Sequence, residues 1–341
     1  MVLLRIDWSR LVGSIVSFCM GLLAIGVIIA LLGHDPIEGY RLLFEGMVSN
    51  FDIALQRAAL LALSGLSFAI PALAGLFNIG GEGMAYIGGL AALVVGYLVP
   101  NPLLALLAGG LAGAAVGFLV GVLRVRRGVH EVVSTVMLNW VLYYLVSYIV
   151  VCYLKNPRYP DVSVFILPGS RLPVYAGVIL SFTICVLCFF LAYYTRWGVV
   201  LRSIGVSADA ARAHGVNVDS YMLWSMVVGG FLGGLAGSVL VVCESYCLSV
   251  LLSGLYGVGF NGIGVALLAW NNPIAIIPAA LLVSSLYAGS YPLQIEMGID
   301  SHVISAIVGV VVFILAIPGL VESLRRARLL RLIVREVESR G

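Results

Sequence analysis

Residues 103–123 read LLALLAGGLAGAAVGFLVGVL, twenty-one residues without a charge. No other feature restricts the fold of this chain so strongly. A helix rises 1.5 Å per residue, so about 20 apolar residues cross ~30 Å of hydrocarbon. In that medium every backbone amide must be satisfied inside a helix or a closed barrel. The run shows no polar/apolar alternation, which argues against a barrel. Comparable runs recur along the 341 residues, which are 62% hydrophobic and 10% charged with a mean hydropathy of +1.11. So little charge could not solvate the surface of a water-soluble domain of this size. The expected fold is an all-α polytopic membrane protein.

Ten candidate spans are expected, at about 11–32, 52–77, 82–99, 103–123, 131–154, 174–194, 220–243, 258–270, 273–291 and 301–317. The eighth is short and reads as a half-helix, a re-entrant segment, or a span that extends back into the preceding loop. Pro71 and Pro278 fall inside spans and predict kinks. The first run, Leu11–Leu32, is too long for a signal core and lacks a small-residue cleavage site, so no cleavable signal peptide is expected. No loop is long enough to build its own core. A single membrane domain over 1–341 is expected, with a cytoplasmic N-terminus at 1–10, a cytoplasmic loop at 195–219 and a basic tail at 318–341.

Cationic residues set the expected orientation. With the N-terminus inside and ten crossings, fourteen of the nineteen fall inside, among them Arg5, Arg10, Arg124, Arg126 and Arg127. Only Arg41, Arg57, Lys155, Arg158 and Arg171 fall outside. Both termini are therefore expected in the cytoplasm. The segment Glu322–Arg340 reads as a basic amphipathic helix, lying on anionic lipid or on a cytoplasmic partner.

An internal echo links the halves. Asn101-Pro102 follows the Gly-rich NIGGEGMAYIGG, and Asn272-Pro273 follows the Gly-rich SGLYGVGFNGIG. Five spans per half would relate the halves by inverted topology. Glycine in these segments permits close helix packing or broken helix ends beside a central path.

Nothing reads as a catalytic set. His34, His130, His214 and His302 lie at span ends or in loops, none at metal-ligand spacing. Cys185 and Cys188 form a C-x-x-C in an apolar helix with no His or acid nearby, and read as small buried hydrophobes. No G-x-x-x-x-G-K-[ST] loop occurs, so any ATP must be handled by another chain. Polar residues at membrane depth are the candidates for a solute path, because each is costly there unless it is paired or faces a cavity. Asn78, Glu82, Asn139, Trp140 and Asn261 are those candidates. Asn139 can bond a polar solute or a neighbouring helix, and Trp140 can stack on a ring or simply pack. Glu82 can equally complement a helix N-terminus. Ser134 and Thr135 read as bonding their own helix backbone, and Glu131 as capping the fifth span. Glu244 and Tyr246 sit at the outer end of the seventh span, either beside an entrance or as plain interfacial residues.

One cytoplasmic stretch does not fit a simple linker. Ser207–Gly215, SADAARAHG, has Ser207 as N-cap, Asp209 in the first turn, Arg212 and His214 in the last, and Gly215 as a left-handed C-cap. Ala208, Ala211 and Gly215 share one face of small side chains, able to seat in a groove, with Asp209 and Arg212 at the rim. A solvated connecting helix is the plainer alternative.

Asp209–Gly215, DAARAHG, resembles the EAA-x-x-x-G signature of ABC importer permeases, with Asp in place of Glu. Arg202–Val218 is similar to the longer form found in permeases for branched-chain amino acids, simple sugars and nucleosides. FNIGGEGMAYIGG (Phe77–Gly89), GVHEVVSTVMLNWVLYYLVSYIV (Gly128–Val150) and GFNGIGVALLAWNNPIAIIPAALL (Gly259–Leu282) resemble the nucleoside and simple-sugar branch. The resemblance covers Ala54 to Leu320. It implies the translocation subunit of an importer in the plasma (cytoplasmic) membrane. Arg202, Ser207, Asp209, Ala210, Ala211, Arg212 and Gly215 would then form a coupling helix docked on an ATP-binding subunit, which binds the ATP and Mg. This chain itself would be no enzyme and hold no metal or cofactor. Further implied partners are a second permease chain, different or identical, an external substrate-binding protein and membrane lipid, with no nucleic acid. A branched-chain amino acid permease is the nearest alternative. An ion-coupled secondary transporter would need a charged group deep in a span, which these boundaries do not supply.

Overall fold

The computed structural model describes residues 8–159, 161–249 and 257–315, with side chains from Cys19 onward. Among them the fold is helical throughout. Two isolated bridges, Lys155 with Ser163 and Val162 with Ser249, are the only extended pairings. Among the described residues, seven helices are long and apolar enough to cross a membrane, and three shorter apolar helices accompany them. The basic segment Glu322–Arg340 lies outside the described residues.

The helices start and stop where local chemistry directs. α1 (Trp8–Leu31) is followed by α2 (Pro36–Ser49), where Asp35 accepts from the Ile37 amide and Pro36 takes the first position. α3 (Phe51–Leu73) runs through Pro71 and ends at Gly75, whose φ is +77°. α4 spans Gly81–Leu98. α5 (Pro102–Arg127) is capped by Asn101 and closed by Gly128 in the left-handed region, with Arg124, Arg126 and Arg127 on the negative end of its dipole. α6 (Glu131–Tyr153) and α7 (Val174–Tyr194) follow, then the short α8 (Arg196–Val206) and α9 (Ala208–Ala213). α10 (Val218–Val239) runs into a π-helical turn, Leu240–Ser245, and stops at Tyr246 with φ 57°. α11 is Val258–Leu268, α12 Ile276–Glu296, and α13 Ser301–Leu315.

Two departures from expectation have simple causes. The sequence places no span between residues 33 and 51, yet α2 forms there as a half-buried amphipathic helix with Gly39, Leu42, Leu43 and Gly46 turned inward. Pro278 is expected to kink a span. α12 begins only at Ile276, so Pro278 sits in the first turn, where its missing amide has no intrahelical partner to lose, and Pro292 is the proline inside that helix.

The chain divides into two compact units, Asp52–Ser284 and Met1–Phe51 with Ser285–Gly341. In the second, α1 and α2 are tied by Tyr40, whose hydroxyl donates to the Leu22 carbonyl and accepts from the Gly26 amide. Asn50 donates to the Ala288 carbonyl. In the first, α4, α5 and α10 form the centre. Gly113 of α5 lies against the backbone of Gly230 and Gly234 of α10, so closely that a methyl group at Gly113 would collide with the Gly230 carbonyl. Without a hydrophobic drive between helices in lipid, such close backbone contact supplies much of the association. Cys185 and Cys188 are buried in α7.

Candidate functional site

α4 begins abruptly inside the protein, and buried side chains hold its exposed amides. A helix N-terminus leaves four N–H groups without intrahelical partners. Asn78 Oδ1 accepts from the Gly80 amide at 3.1 Å, while its Nδ2 donates to the Ser67 carbonyl (3.0 Å) and hydroxyl (3.3 Å). Asn139, reaching over from α6, accepts from the Gly83 amide at 2.8 Å and donates to the Ile79 carbonyl at 2.9 Å. The first turn of α11 meets this end. Glu82 Oε2 accepts from the Gly259 amide at 2.6 Å, and a Cβ at Gly259 would overlap the Glu82 backbone. Glu82 is 3% exposed, and its Oε1 is buried without a hydrogen-bond partner among the described residues. The two Gly-rich segments singled out in the sequence thus converge on one carboxylate.

Asn78, Glu82 and Asn139 therefore come together, and Asn261 lies in the same first turn of α11 that carries Gly259. Trp140 follows Asn139 on α6, about 100° further round the helix, and is 53% exposed. Both amide ends of Asn78 and Asn139 are engaged by the chain itself in this conformation. Ser134 and Thr135 bond the Glu131 carbonyl of their own helix. Glu131 is not the cap of α6: His130 is, its Nδ1 accepting from the Val132 amide, and Glu131 is the first residue inside the helix. It is buried, pairs with Arg124 of α5 at 3.0 Å, and accepts from the Phe77 amide at 3.4 Å, tying α5 and α6 to the segment before α4. The spacing of Arg124, Gly128 and Glu131 could have signalled this pair. Tyr246 braces the segment before α7: its hydroxyl donates to the Leu172 carbonyl, and the Arg171 guanidinium lies 4.9 Å from its ring.

The second candidate site is the α8–α9 corner. Thr195 caps α8 through the Gly198 amide, and Ser207 caps α9 through the Ala210 amide. Gly215 is left-handed at φ +79°, as the sequence required. Arg212 bridges Asp209 (3.3 Å) and Asp219 (3.2 Å). Arg202 lies on the Tyr193 ring at 4.5 Å, so it anchors α8 to the end of α7. One expectation changes. Ala211 is 6% exposed and turned into the chain, with Ala208 partly covered. Ala211, with Ala208 beside it, therefore seats α9 on its own protein, whereas Gly215 is exposed together with Asp209, Ala210, Ala213 and His214.

The model of the family described as branched-chain amino acid transport system / permease component matches residues 50–317. The chain belongs to that family. Relatives narrow the branch. The guanosine ABC transporter permease protein NupP of Bacillus subtilis is 28% identical over 326 residues, covering 90% of this chain and 93% of that protein. The nucleoside ABC transporter permease protein NupB of Lactococcus lactis is 29% identical, covering 90% and 91%. The glucose ABC transporter permease protein TsgB13 of Haloferax volcanii is 28% identical, covering 89% and 86%. No solved structure matches. This multi-pass ABC permease is thus similar to the nucleoside and sugar permeases that its motifs resemble.

Proposed function

We propose that this chain is the translocation subunit of an ABC importer that moves a nucleoside or simple sugar into the cytoplasm. ATP and Mg are bound by a partner subunit, which carries the ATPase activity, while this chain is no enzyme and holds no cofactor. The α8–α9 corner carries the proposal: a short helix capped at both ends, held down on its own chain by Ala211, with its other side exposed. In this reading Arg202, Ser207, Asp209, Ala210, Ala211, Arg212 and Gly215 form the coupling element. Ala211 seats it, and Asp209, Ala210 and Arg212 meet the ATP-binding subunit. When the nucleotide-binding subunits close, the corner transmits the movement to α7 and α10, its two flanking helices.

Ten crossings, cytoplasmic termini and a five-plus-five inverted repeat belong to the same proposal, with residues 1–341 acting as one permease domain in the plasma (cytoplasmic) membrane. Each of the ten apolar runs coincides with a helix. The Asn-Pro echo has matching geometry: Asn101 accepts from the Leu103 amide at 3.0 Å, and Asn272 from the Ile274 amide at 3.1 Å. Asn78, Glu82, Asn139, Trp140 and Asn261 border the solute path in this reading, with Trp140 on its open side and the buried cluster around Glu82 behind it, where the carboxylate accepts from the N-terminus of α11. A substrate-binding protein delivers solute outside, a second permease chain, different or identical, completes the pore, and lipid surrounds it. No nucleic acid takes part.

The test is reconstitution in proteoliposomes with an ATP-binding subunit, a substrate-binding protein and the second permease chain. ATP-dependent uptake of labelled guanosine, ribose or glucose is expected. Uptake of leucine alone would favour the amino acid reading that the family description carries. Uptake driven by an ion gradient without ATP would overturn the proposal.

A further inference from the structure

α6 has two unlike faces. Asn139, Leu142, Val146 and Val150 are buried, whereas Trp140, Tyr144 and Tyr148 are 53%, 64% and 59% exposed. The three rings recur every four residues and form one stripe. Trp140 and Tyr144 lie 6.3 Å apart between centroids, with their planes 28° from parallel. Tyr143 braces them, edge-on to Trp140 at 6.3 Å and to Tyr144 at 5.1 Å. It rests in turn on the buried Tyr86 of α4 at 5.6 Å. The exposed rings are therefore held in place from beneath.

Depth decides what this stripe faces. Trp140 and Tyr144 lie about 15 and 20 Å along a helix of about 35 Å. Amphipathic rings belong at membrane interfaces, where the polar end reaches water. The helices before and after α6 in the chain expose aliphatic side chains through their middles. α5 exposes Leu107, Leu111 and Leu119. α7 exposes Ile179 and Leu187 through its middle and keeps its exposed tyrosines, Tyr175 and Tyr194, for its ends. α6 differs in placing an indole and a phenol near its centre, Trp140 and Tyr144, among the exposed Met137, Val141 and Leu145. In hydrocarbon those groups would forgo the hydrogen bonds that water supplies.

We infer that the Trp140–Tyr144–Tyr148 stripe is a wall of the water-filled translocation path, and that its rings stack on a planar heterocycle of the solute such as a nucleobase. The solute class rests on the import reading above, whereas the wetting of the face rests on the geometry alone. Trp140 is then one ring of a platform rather than a lone contact. The platform selects for flat solutes, and the buried polar cluster lies on the other side of the same helix.

The wall is tested by aqueous thiol labelling of the whole transporter in membrane vesicles, with the six native cysteines replaced. Tyr144→Cys and Tyr148→Cys are expected to react with a membrane-impermeant methanethiosulfonate far faster than Leu111→Cys on α5 or Leu187→Cys on α7. Equal rates would overturn the wall. Guanosine is expected to slow the labelling where ribose does not. For selectivity, Tyr144→Leu should raise the KM for guanosine about tenfold while leaving that for ribose unchanged, since stacking on one base is worth roughly that factor. Tyr144→Phe should restore it, because phenylalanine keeps the ring face. A tenfold rise for both solutes, or no rescue by phenylalanine, would overturn the stacking role. If the complex takes up no nucleoside, fast labelling at Tyr144→Cys would still uphold the wall while the import reading fails for that solute.

Discussion

Asn139 shows how one side chain can organise a membrane fold. Its two hydrogen bonds reach Gly83 and Ile79, 56 and 60 positions away, and they hold a helix end that lipid cannot satisfy. Truncation to alanine leaves a buried amide and a buried carbonyl unmatched, at about 1–3 kcal/mol for each unsatisfied group. Asn139→Ala should therefore lower the melting temperature in detergent clearly, and Ser134→Ala, whose hydroxyl bonds only its own helix, should barely move it. Glu82 makes a companion case. Glu82→Ala removes the acceptor for the Gly259 amide, and Glu82→Gln keeps one without the charge. Thermal unfolding should rank them wild type, Gln, Ala; an alanine variant as stable as wild type would remove the carboxylate from any role in joining α4 to α11. The sequence marked both residues as costly at that depth but left their partners unreadable, because each partner is brought in by packing far along the chain.

At the scale of elements, α9 and the α5–α10 pair make opposite demands on small residues. Ala210 is exposed and Ala211 is covered on the same six-residue helix. Ala210→Arg should leave the folded protein intact while reducing ATP-driven uptake, whereas Ala211→Arg should reduce the amount of folded protein itself, measured by gel filtration of the solubilised complex. Normal uptake in the Ala210 variant would take α9 out of the coupling contact. Glycine tolerance gives a second contrast. Gly113→Leu places a branched side chain against the α10 backbone, and overpacking of this kind destabilises by about 1–3 kcal/mol or more. A methyl group added at Gly309 in α13 would meet only open space. Gly309→Ala should be neutral or stabilising by roughly 0.5–1 kcal/mol, because alanine loses less backbone entropy on folding. The Gly-rich composition was legible, but the helix pair that each glycine joins was not. The start of α2 is signalled by Asp35-Pro36, a cap followed by proline, although the charges at Glu38, Arg41 and Glu45 hide its apolar face from a search for spans.

For the whole molecule, charge asymmetry makes a prediction that ignores side-chain detail. Single cysteines at Lys155 and Ala210, in a background without native cysteines, should react from opposite sides of intact cells: the first with an impermeant reagent added outside, the second only after permeabilisation. Reaction of both from outside would break the ten-crossing orientation. The placement of helices was readable from sequence because its causes are local. Apolar length, capping residues such as Asn101 and Ser207, and left-handed glycines at 128 and 215 act over a few residues. Tertiary structure alone decided that α4 and α11 meet at Glu82, that α9 turns Ala211 inward, and that α6 presents its rings outward. Each of those depends on which helix backbones approach closely enough for distant amides, carboxylates and rings to touch, and no short stretch of sequence carries that distance.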